Sequence, residues 1–203
     1  MASVINSVVL ASQSPRRLEL LRSLDLDVRV VPSTYHEPDK PELTPRDLAI
    51  SHAREKCREV AGTQDRDAIV IAADTVVDVD GVAYNKPRDE DDARRMLRDL
   101  SARTHVVHTA IALHVRGELH EHCESTRVTF FDLTDGEIER YVQSGEPMDK
   151  AGAYGIQGQA ATLVRGIEGD FYTVMGFPVA RFARMLAQLG FSLPIKKKDF
   201  NPA

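Results

Sequence analysis

Our prediction of the fold starts from the segment Val8-Val9-Leu10-Ala11-Ser12-Gln13-Ser14-Pro15-Arg16-Arg17-Leu18-Glu19-Leu20-Leu21. It predicts a buried strand over residues 7–11, a polar loop, and a helix over residues 15–25 with Ser14 as N-cap and Pro15 as first residue. Free backbone N–H groups and the positive dipole end at such a helix start favour an anion. Two hydroxyl and two guanidinium groups beside it suit a polyphosphate, although an ordinary strand–turn–helix unit with surface arginines gives the same local pattern.

The composition is that of a globular protein. The chain has 203 residues, of which 42% are hydrophobic and 28% are charged, which is enough for one large domain or two small lobes. Its formal net charge of -5 argues against nucleic acid or an anionic membrane as a partner. A local basic pocket for a small anion remains compatible with that charge.

The cysteines and the apolar runs indicate the expected subcellular location. Cys57 and Cys123 are too few for a disulfide framework or a cysteine zinc site, so a reducing compartment fits. No apolar run approaches membrane-spanning length, and the N-terminus lacks a basic-then-apolar signal pattern. We therefore expect a cytoplasmic protein with no membrane partner.

Strand and helix patterns alternate along the rest of the chain. The predicted elements are a strand over 27–31, a loop over 32–41, a helix from Thr44 to about Val60, strands over 68–73 and 76–79, a hairpin at Asp80-Gly81, a helix opening at 89–92, strands over 104–115 and 118–131, a helix with the capping box Thr134–Glu137, a strand over 161–165, and a last helix from Pro178 to Gly190. No internal repeat or interdomain linker is evident, so residues 1–203 are expected to form one domain. Residues 194–203, with three lysines, are predicted to be a flexible tail.

Two carboxylates stand out. Asp74 lies between two apolar runs, and burying a lone charge is costly, so it needs a partner, a metal or a role. A strand-end acid that caps a loop is the alternative. Glu37 lies in the loop over 32–41, from which it could reach a cleft, although a solvated loop acid is the simpler interpretation of its position.

Three further polar residues are candidates for a binding site. Lys56 lies beside the apolar stripe of its helix, where it either points into a cleft or extends to water. Lys86 follows the hairpin, a position found for phosphate-binding and for ordinary surface lysines. Gln157 lies in the glycine-rich segment 145–158, and its amide can both donate to and accept from a nucleobase edge. A flexible surface loop is the alternative for that segment.

The motifs that carry a family resemblance are Ala11-Ser12-Gln13-Ser14-Pro15-Arg16-Arg17, Ala73-Asp74-Thr75-Val76, Lys86-Pro87 and the glycine-rich segment 145–158. Over about residues 7–190 the chain resembles the Maf family of nucleoside triphosphate pyrophosphatases. The resemblance implies an α/β fold in which a long mixed sheet curls around a deep cleft between two lobes, similar to inosine triphosphate pyrophosphatases. It also implies hydrolysis of a nucleoside triphosphate to the monophosphate and pyrophosphate.

The resemblance assigns roles to individual residues. Asp74 is expected to accept the proton of the attacking water, and Glu37 and Asp74 to hold a divalent metal cofactor, Mg²⁺ or Mn²⁺. The expected substrate-binding residues are Ser12, Ser14, Arg16, Lys56, Thr75, Lys86 and Gln157. Arg16, Thr75 and Gln157 match the subgroup that acts on dTTP and UTP, including modified uridine triphosphates. Direct contact of Thr75 and Gln157 with the base is our own hypothesis.

Other functions remain open at this point. The same chemistry could act on 7-methyl-GTP or other modified nucleotides, and a non-enzymatic regulator of septation is a different class. A P-loop enzyme is disfavoured because the Gly-x-x-x-x-Gly-Lys-Ser/Thr motif does not occur. House-cleaning of the nucleotide pool is the expected role. Relatives are often dimers, which makes a homodimer one expectation for the assembly.

Overall fold

The structure is a computed structural model that describes residues 2–195. The strands are β1 (Ser3–Val4), β2 (Ser7–Leu10), β3 (Asp27–Val30), β4 (Val70–Val79), β5 (Val82–Tyr84), β6 (Thr104–Val115), β7 (Glu118–Phe130), β8 (Val164–Glu168) and β9 (Phe191–Ser192). The helices are α1 (Pro15–Arg22), α2 (Pro45–Ala61), α3 (Glu90–Leu100), α4 (Asp135–Gln143), α5 (Phe171–Met175) and α6 (Val179–Gln188), with 3-10 turns at Glu146–Asp149, Ala151–Ala153 and Gly158–Thr162. Residues 196–203 of the predicted tail lie outside the described residues. Across 2–195, no helix is both long enough and apolar enough to cross a membrane.

The main sheet has seven strands in the order β3-β2-β4-β6-β7-β8, with β5 paired to β4. Strand β2 is parallel to β3 and β4, whereas the pairs from β4 to β8 are antiparallel. This arrangement confirms the prediction of an α/β fold with a mixed sheet. Strand β2 pairs with β4 at Val70 and Ile71, and β5 pairs with β4 from Val77 onward. Within the described chain, the edge of β4 at residues 72–76 therefore lies open between them.

The two faces of β4 pack against different layers. Successive side chains of a strand point to opposite faces, so residues 70, 72, 74 and 76 share one face. That face packs against α2 in a cluster with Leu48, Ala53 and Cys57. The opposite face, with residues 71, 73, 75 and 77, meets α5, α6 and the glycine-rich segment. Asp74 and Thr75 therefore lie on opposite sides of one strand.

Several element boundaries differ from the sequence prediction. Helix α1 ends at Arg22 rather than at residue 25, because Asp25 adopts a left-handed conformation with φ of 61°. Ser14 occupies the N-cap position but its side chain makes no capping hydrogen bond. Strand β4 runs without interruption from Val70 to Val79, so Asp74 is part of the strand rather than of a loop. The predicted strand over 161–165 is wrong in part, because Gly158–Thr162 forms a 3-10 turn and β8 begins at Val164.

Candidate active site

A cleft of about 460 Å³ opens beside the free edge of β4. Its wall includes every site residue predicted from the sequence: Ser12, Ser14, Arg16, Glu37, Lys56, Asp74, Thr75, Lys86 and Gln157. These residues come from the β2–α1 loop, the first turn of α1, the loop before α2, α2 itself, β4, the segment after β5 and the glycine-rich segment. The fold therefore brings together residues that are widely separated in the sequence.

Lys56 joins the two predicted carboxylates. Its Nζ atom donates to Asp74 Oδ1 at 2.7 Å and forms an ion pair with Glu37 Oε1. The Lys56 side chain is 12% exposed, so it points into the cleft rather than to open water. Asp74 is buried, and an unpaired charge there would be costly. The partner that the sequence required for Asp74 is thus Lys56.

The two carboxylates are tuned in opposite directions. Burial raises the pKa of Asp74 above its usual 3.8; Lys56 opposes this effect, and the nearby Glu37 charge reinforces it. Burial also disfavours ionisation of Glu37, but Lys56 outweighs it and holds the pKa of Glu37 below its usual 4.5. The site therefore combines one acid that ionises readily with one whose proton affinity is raised, the arrangement that suits a general base.

Arg17 was one of the two guanidinium groups expected beside the anion, but the sequence prediction did not include it among the site residues. Its side chain is half-buried, and its guanidinium donates to three acceptors: Gly176 O at 2.9 Å, Ser12 Oγ at 3.2 Å and Thr75 Oγ1 at 3.2 Å. Helical spacing was the available signal, since Arg17 lies on the face of α1 that carries the buried Leu20 and Leu21. The guanidinium thus connects the β2–α1 loop, through Ser12, to β4, through Thr75.

Arg16, the neighbouring arginine, points across the cleft instead. Its Nη1 atom lies 3.4 Å from Asp149 Oδ2, which connects α1 to the glycine-rich segment. Asp149 also accepts from Lys150 Nζ at 2.6 Å. Because the Arg16 contact is long and partly exposed, it is a weak ion pair. Arg16 is therefore free to exchange Asp149 for an incoming anion.

The glycine-rich segment is folded around Glu146. The Glu146 carboxylate accepts from Tyr141 Oη and from the backbone N–H of Gln159, both at 3.1 Å. Gly158 has φ of 76°, and a Cβ atom there would lie 2.8 Å from Glu146 Oε2. A glycine is needed at this position for both reasons. The anchored segment places Gln157 on the wall of the cleft.

The far side of the cleft is apolar. Val77 and Val107 face each other across the β4–β6 ladder, on the same side of the sheet as Thr75. Tyr154 Oη bonds His105 Nε2 at 2.7 Å, and burial lowers the pKa of His105 to about 4, so this pair stays neutral. Ile156, Val174 and Met175 complete the wall. The cleft thus has a charged half on the α2 face of β4 and a largely apolar half on the other, where Arg17 binds Thr75.

The donor set is suited to a hard divalent cation. Glu37 and Asp74 converge on one positive centre, the Lys56 ammonium, so their oxygen atoms already point to a common region. Among residues 2–195, no group of three or more His, Cys, Asp or Glu side chains is placed to hold a metal. Two carboxylates leave coordination positions for phosphate oxygens and water, as Mg²⁺ sites usually do.

The mixed sheet and the two-part cleft are those of an α/β protein whose candidate site combines charged and apolar side chains. The family model described as Maf-like protein matches residues 7–189. A dTTP/UTP pyrophosphatase of Koribacter versatilis is 46% identical over 183 residues, covering 90% of this chain and 94% of that protein. A dTTP/UTP pyrophosphatase of Bacillus velezensis is 44% identical over 181 residues, covering 89% and 95%. The chain belongs to the Maf family, as its motifs predicted.

A solved structure described as a nucleoside-triphosphatase or dITP/XTP pyrophosphatase of Mycobacterium abscessus also resembles this fold. The match covers 90% of this chain and 97% of that chain, with 18% sequence identity and a TM-score of 0.43.

Proposed function

We propose that this protein is a nucleoside triphosphate pyrophosphatase that hydrolyses dTTP and UTP to the monophosphate and pyrophosphate. The observation that carries the proposal is the geometry around β4. A buried carboxylate, Asp74, pairs with Lys56 on one face of β4, and Thr75, one residue along the strand, lies on the opposite face among apolar side chains and Arg17. The names of the two relatives, both above 40% identity over nearly the whole chain, support the same activity.

In this mechanism Asp74 is the general base. Its carboxylate accepts a proton from a water molecule while the water oxygen attacks the α-phosphorus. The bond between the α-phosphorus and the bridging oxygen breaks, and pyrophosphate leaves with the electron pair. The raised pKa of Asp74 improves the match between the base and the proton that it removes.

The remaining polar residues stabilise the phosphates. Ser12, Ser14 and the backbone N–H groups at the start of α1 hold phosphate oxygens. Arg16, Lys56 and Lys86 provide positive charge where the negative charge of the transition state increases. Arg16 exchanges Asp149 for a phosphate oxygen when the substrate enters, since its pairing in the free protein is weak.

A divalent cation, Mg²⁺ or Mn²⁺, fits beside Glu37 and Asp74. When bound, it supplies Lewis-acid stabilisation of the phosphate oxygens. Glu37 is the better ligand of the two because its pKa is lowered and it remains ionised at neutral pH. Because no third His, Cys, Asp or Glu side chain of residues 2–195 is placed to join these two carboxylates, the ion is expected to bind together with the nucleotide.

The base lies in the apolar half in this proposal. Its ring packs near Val77 and Val107, and its polar edge meets Thr75 and the Gln157 amide. A cytoplasmic location and a homodimer remain predictions from the sequence and the resemblance.

Pyrophosphate release tests the proposal directly. The purified protein is mixed with dTTP, UTP, CTP, GTP, 7-methyl-GTP or ITP, with Mg²⁺ or Mn²⁺ and, in a parallel series, with excess EDTA. Release from dTTP and UTP that EDTA abolishes supports the proposal. Activity confined to 7-methyl-GTP contradicts the assignment of the base, and no release from any nucleotide by a folded sample favours the regulatory class.

The pH dependence tests the role of Asp74. We expect kcat/KM for UTP to rise with pH along an acidic limb whose apparent pKa lies above 3.8, since Asp74 must be ionised to accept a proton. Burial is the main reason for the raised pKa of Asp74, and the Glu37 charge adds to it. Removing that charge in Glu37→Gln therefore lowers the pKa of Asp74, and the limb moves to lower pH.

The control for this shift is Glu55→Gln. Glu55 lies next to Lys56 on α2 but points outward and pairs with Arg58. Glu55→Gln is expected to leave the apparent pKa of the acidic limb unchanged, because surface charges are screened by water and salt. A limb that stays fixed in Glu37→Gln, or that moves to higher pH, contradicts the assignment of Asp74 as the base.

A further inference from the structure

Four residues form a chain of hydrogen bonds with a fixed direction, which starts at the wall of the cleft and runs into the protein interior. Arg17 Nη2 donates to Thr75 Oγ1 at 3.2 Å, and Thr75 Oγ1 lies 2.9 Å from Thr109 Oγ1. Thr109 Oγ1 donates to the carbonyl oxygen of Thr173 at 2.7 Å. A carbonyl can only accept, so the single proton of Thr109 is used there. The proton between the two threonines must therefore come from Thr75.

This direction limits what Thr75 can offer to a ligand. A threonine hydroxyl has one proton and two lone pairs. In Thr75 the proton goes to Thr109 and one lone pair accepts from Arg17, which leaves the second lone pair. Thr75 is partly exposed on the cleft wall, whereas Thr109 is completely buried. Toward the cleft, Thr75 is an acceptor only.

We infer that Thr109 and Arg17 hold Thr75 as an obligate hydrogen-bond acceptor, and that this polarity selects a base with a ring N–H donor. The inference rests on the proposed function. Uracil and thymine carry an N–H at ring position 3, which can donate to Thr75. Cytosine carries a lone pair at that position, so it would face another lone pair. Thr109 is then a positioning residue for specificity, although it does not line the cleft.

A phosphate is a poor partner for Thr75 on the same grounds. Phosphate oxygens require donors, and the only proton of Thr75 is committed to Thr109. Thr75 also shares its face of β4 with Val77, opposite the face on which Lys56 meets Asp74. Both observations place Thr75 at the base rather than at the triphosphate.

The test is the ratio of kcat/KM for UTP to kcat/KM for CTP. Thr109→Val keeps the shape of the side chain but removes its hydroxyl, so the Thr75 proton is released and can turn toward the cleft. We expect CTP hydrolysis to increase and the UTP-to-CTP ratio to fall by roughly tenfold or more, since an unpaired polar contact is converted into a hydrogen bond. Thr109→Ser, which retains the hydroxyl, should retain the ratio.

Two controls distinguish the effect of the freed Thr75 proton from a general loss of packing around the base. UTP methylated at ring position 3 lacks the N–H donor and is bulkier, so Thr109→Val should not improve its hydrolysis. A loosened pocket would admit both this analogue and CTP. Thr104→Val is the matched variant, because Thr104 lies on the same strand as Thr109, β6, but in an exposed position. Its Oγ1 atom also pairs with another threonine, Thr129, at 2.8 Å. This variant should leave the ratio unchanged.

The outcomes distinguish this inference from the proposed function. If the unaltered protein releases no pyrophosphate from UTP or dTTP, the proposed function fails. If it prefers UTP but Thr109→Val keeps the UTP-to-CTP ratio, or improves the methylated analogue as much as CTP, the inference alone is overturned. Should Thr109→Val not fold, as judged by its thermal transition, Thr109→Ala removes the same hydroxyl and answers the same question.

Discussion

Asp74→Asn is expected to reduce kcat for dTTP and UTP by about 10²–10⁴-fold, the usual contribution of a general base. The amide cannot accept the proton of water, but it keeps the size of the side chain and can still accept from Lys56 Nζ, which lies 2.7 Å from Asp74 Oδ1. Nucleotide binding should therefore survive. Pyrophosphate release measures the first effect, and calorimetric titration with the nucleotide and metal measures the second.

Asp78→Asn is the matched control for that substitution. Asp78 lies on the same strand and the same face as Asp74, but it bonds His108 Nε2 and the backbone of Gly81. It lies outside the cleft, so its amide variant should retain activity. If Asp74→Asn instead keeps the rate of the unaltered protein, another group accepts the proton and the mechanism is wrong.

Asp74→Asn should also not destabilise the fold at neutral pH. Because burial raises the pKa of Asp74 in the folded state, the unfolded chain releases this proton at lower pH than the folded chain. Asp74 therefore lowers the free energy of unfolding once the pH rises above 3.8, its usual pKa. This destabilisation increases with pH until the pH exceeds the pKa of Asp74 in the folded protein. Thermal unfolding at neutral pH should show a transition temperature equal to or above that of the unaltered protein, with the difference shrinking in acid.

Arg17→Met is expected to have the largest effect on stability. It removes three hydrogen bonds from a half-buried guanidinium: Gly176 O and Thr75 Oγ1 lose this donor, and Ser12 Oγ keeps only the backbone N–H of Ser14. We expect the free energy of unfolding to fall by roughly 2–4 kcal/mol, the range for losing several hydrogen bonds to a charged group. Activity should fall too, since Ser12 and Thr75 lose their fixed positions. Denaturant unfolding with parallel pyrophosphate release measures both.

The neighbouring arginine provides the control for stability. Arg16→Met removes one long ion pair to Asp149 at a partly exposed position, so the free energy of unfolding should change by less than about 1 kcal/mol. Equal losses in the two variants would mean that Arg17 is not the structural arginine of the pair. Arg17→Lys refines the result, because it keeps the charge but loses the fork of donors that reaches three acceptors.

Local signals in the sequence predicted most of the elements. Thr44 caps α2 by accepting from the backbone of Asp47, and the capping box of Thr134 and Glu137 forms as predicted. Such signals act within a few residues, so they can be recognised without the fold. The interruption of two apolar runs by Asp74 likewise predicted a partner, since a buried carboxylate needs one whatever the topology.

The contacts that the sequence could not predict join distant segments. Arg17 meets Gly176 and Thr75 meets Thr109 through the packing of α5 and β6 against β4, and no local pattern encodes these pairs. Helix α5 has five residues, which is too short to show a helical period. Strands β1 and β9 pair over two residues from opposite ends of the described chain, which again leaves no local signal.

The alternation of β4 has a consequence for how such a protein can diverge. Asp74 and its partner Lys56 lie on one side of the sheet, while Thr75, Val77 and Val107 lie on the other. Substitutions that share no contacts combine almost additively. Nucleotide preference can therefore drift under selection through changes on one side while hydrolysis is conserved on the other. An insertion of one residue within β4 would exchange the two sides and destroy both properties at once.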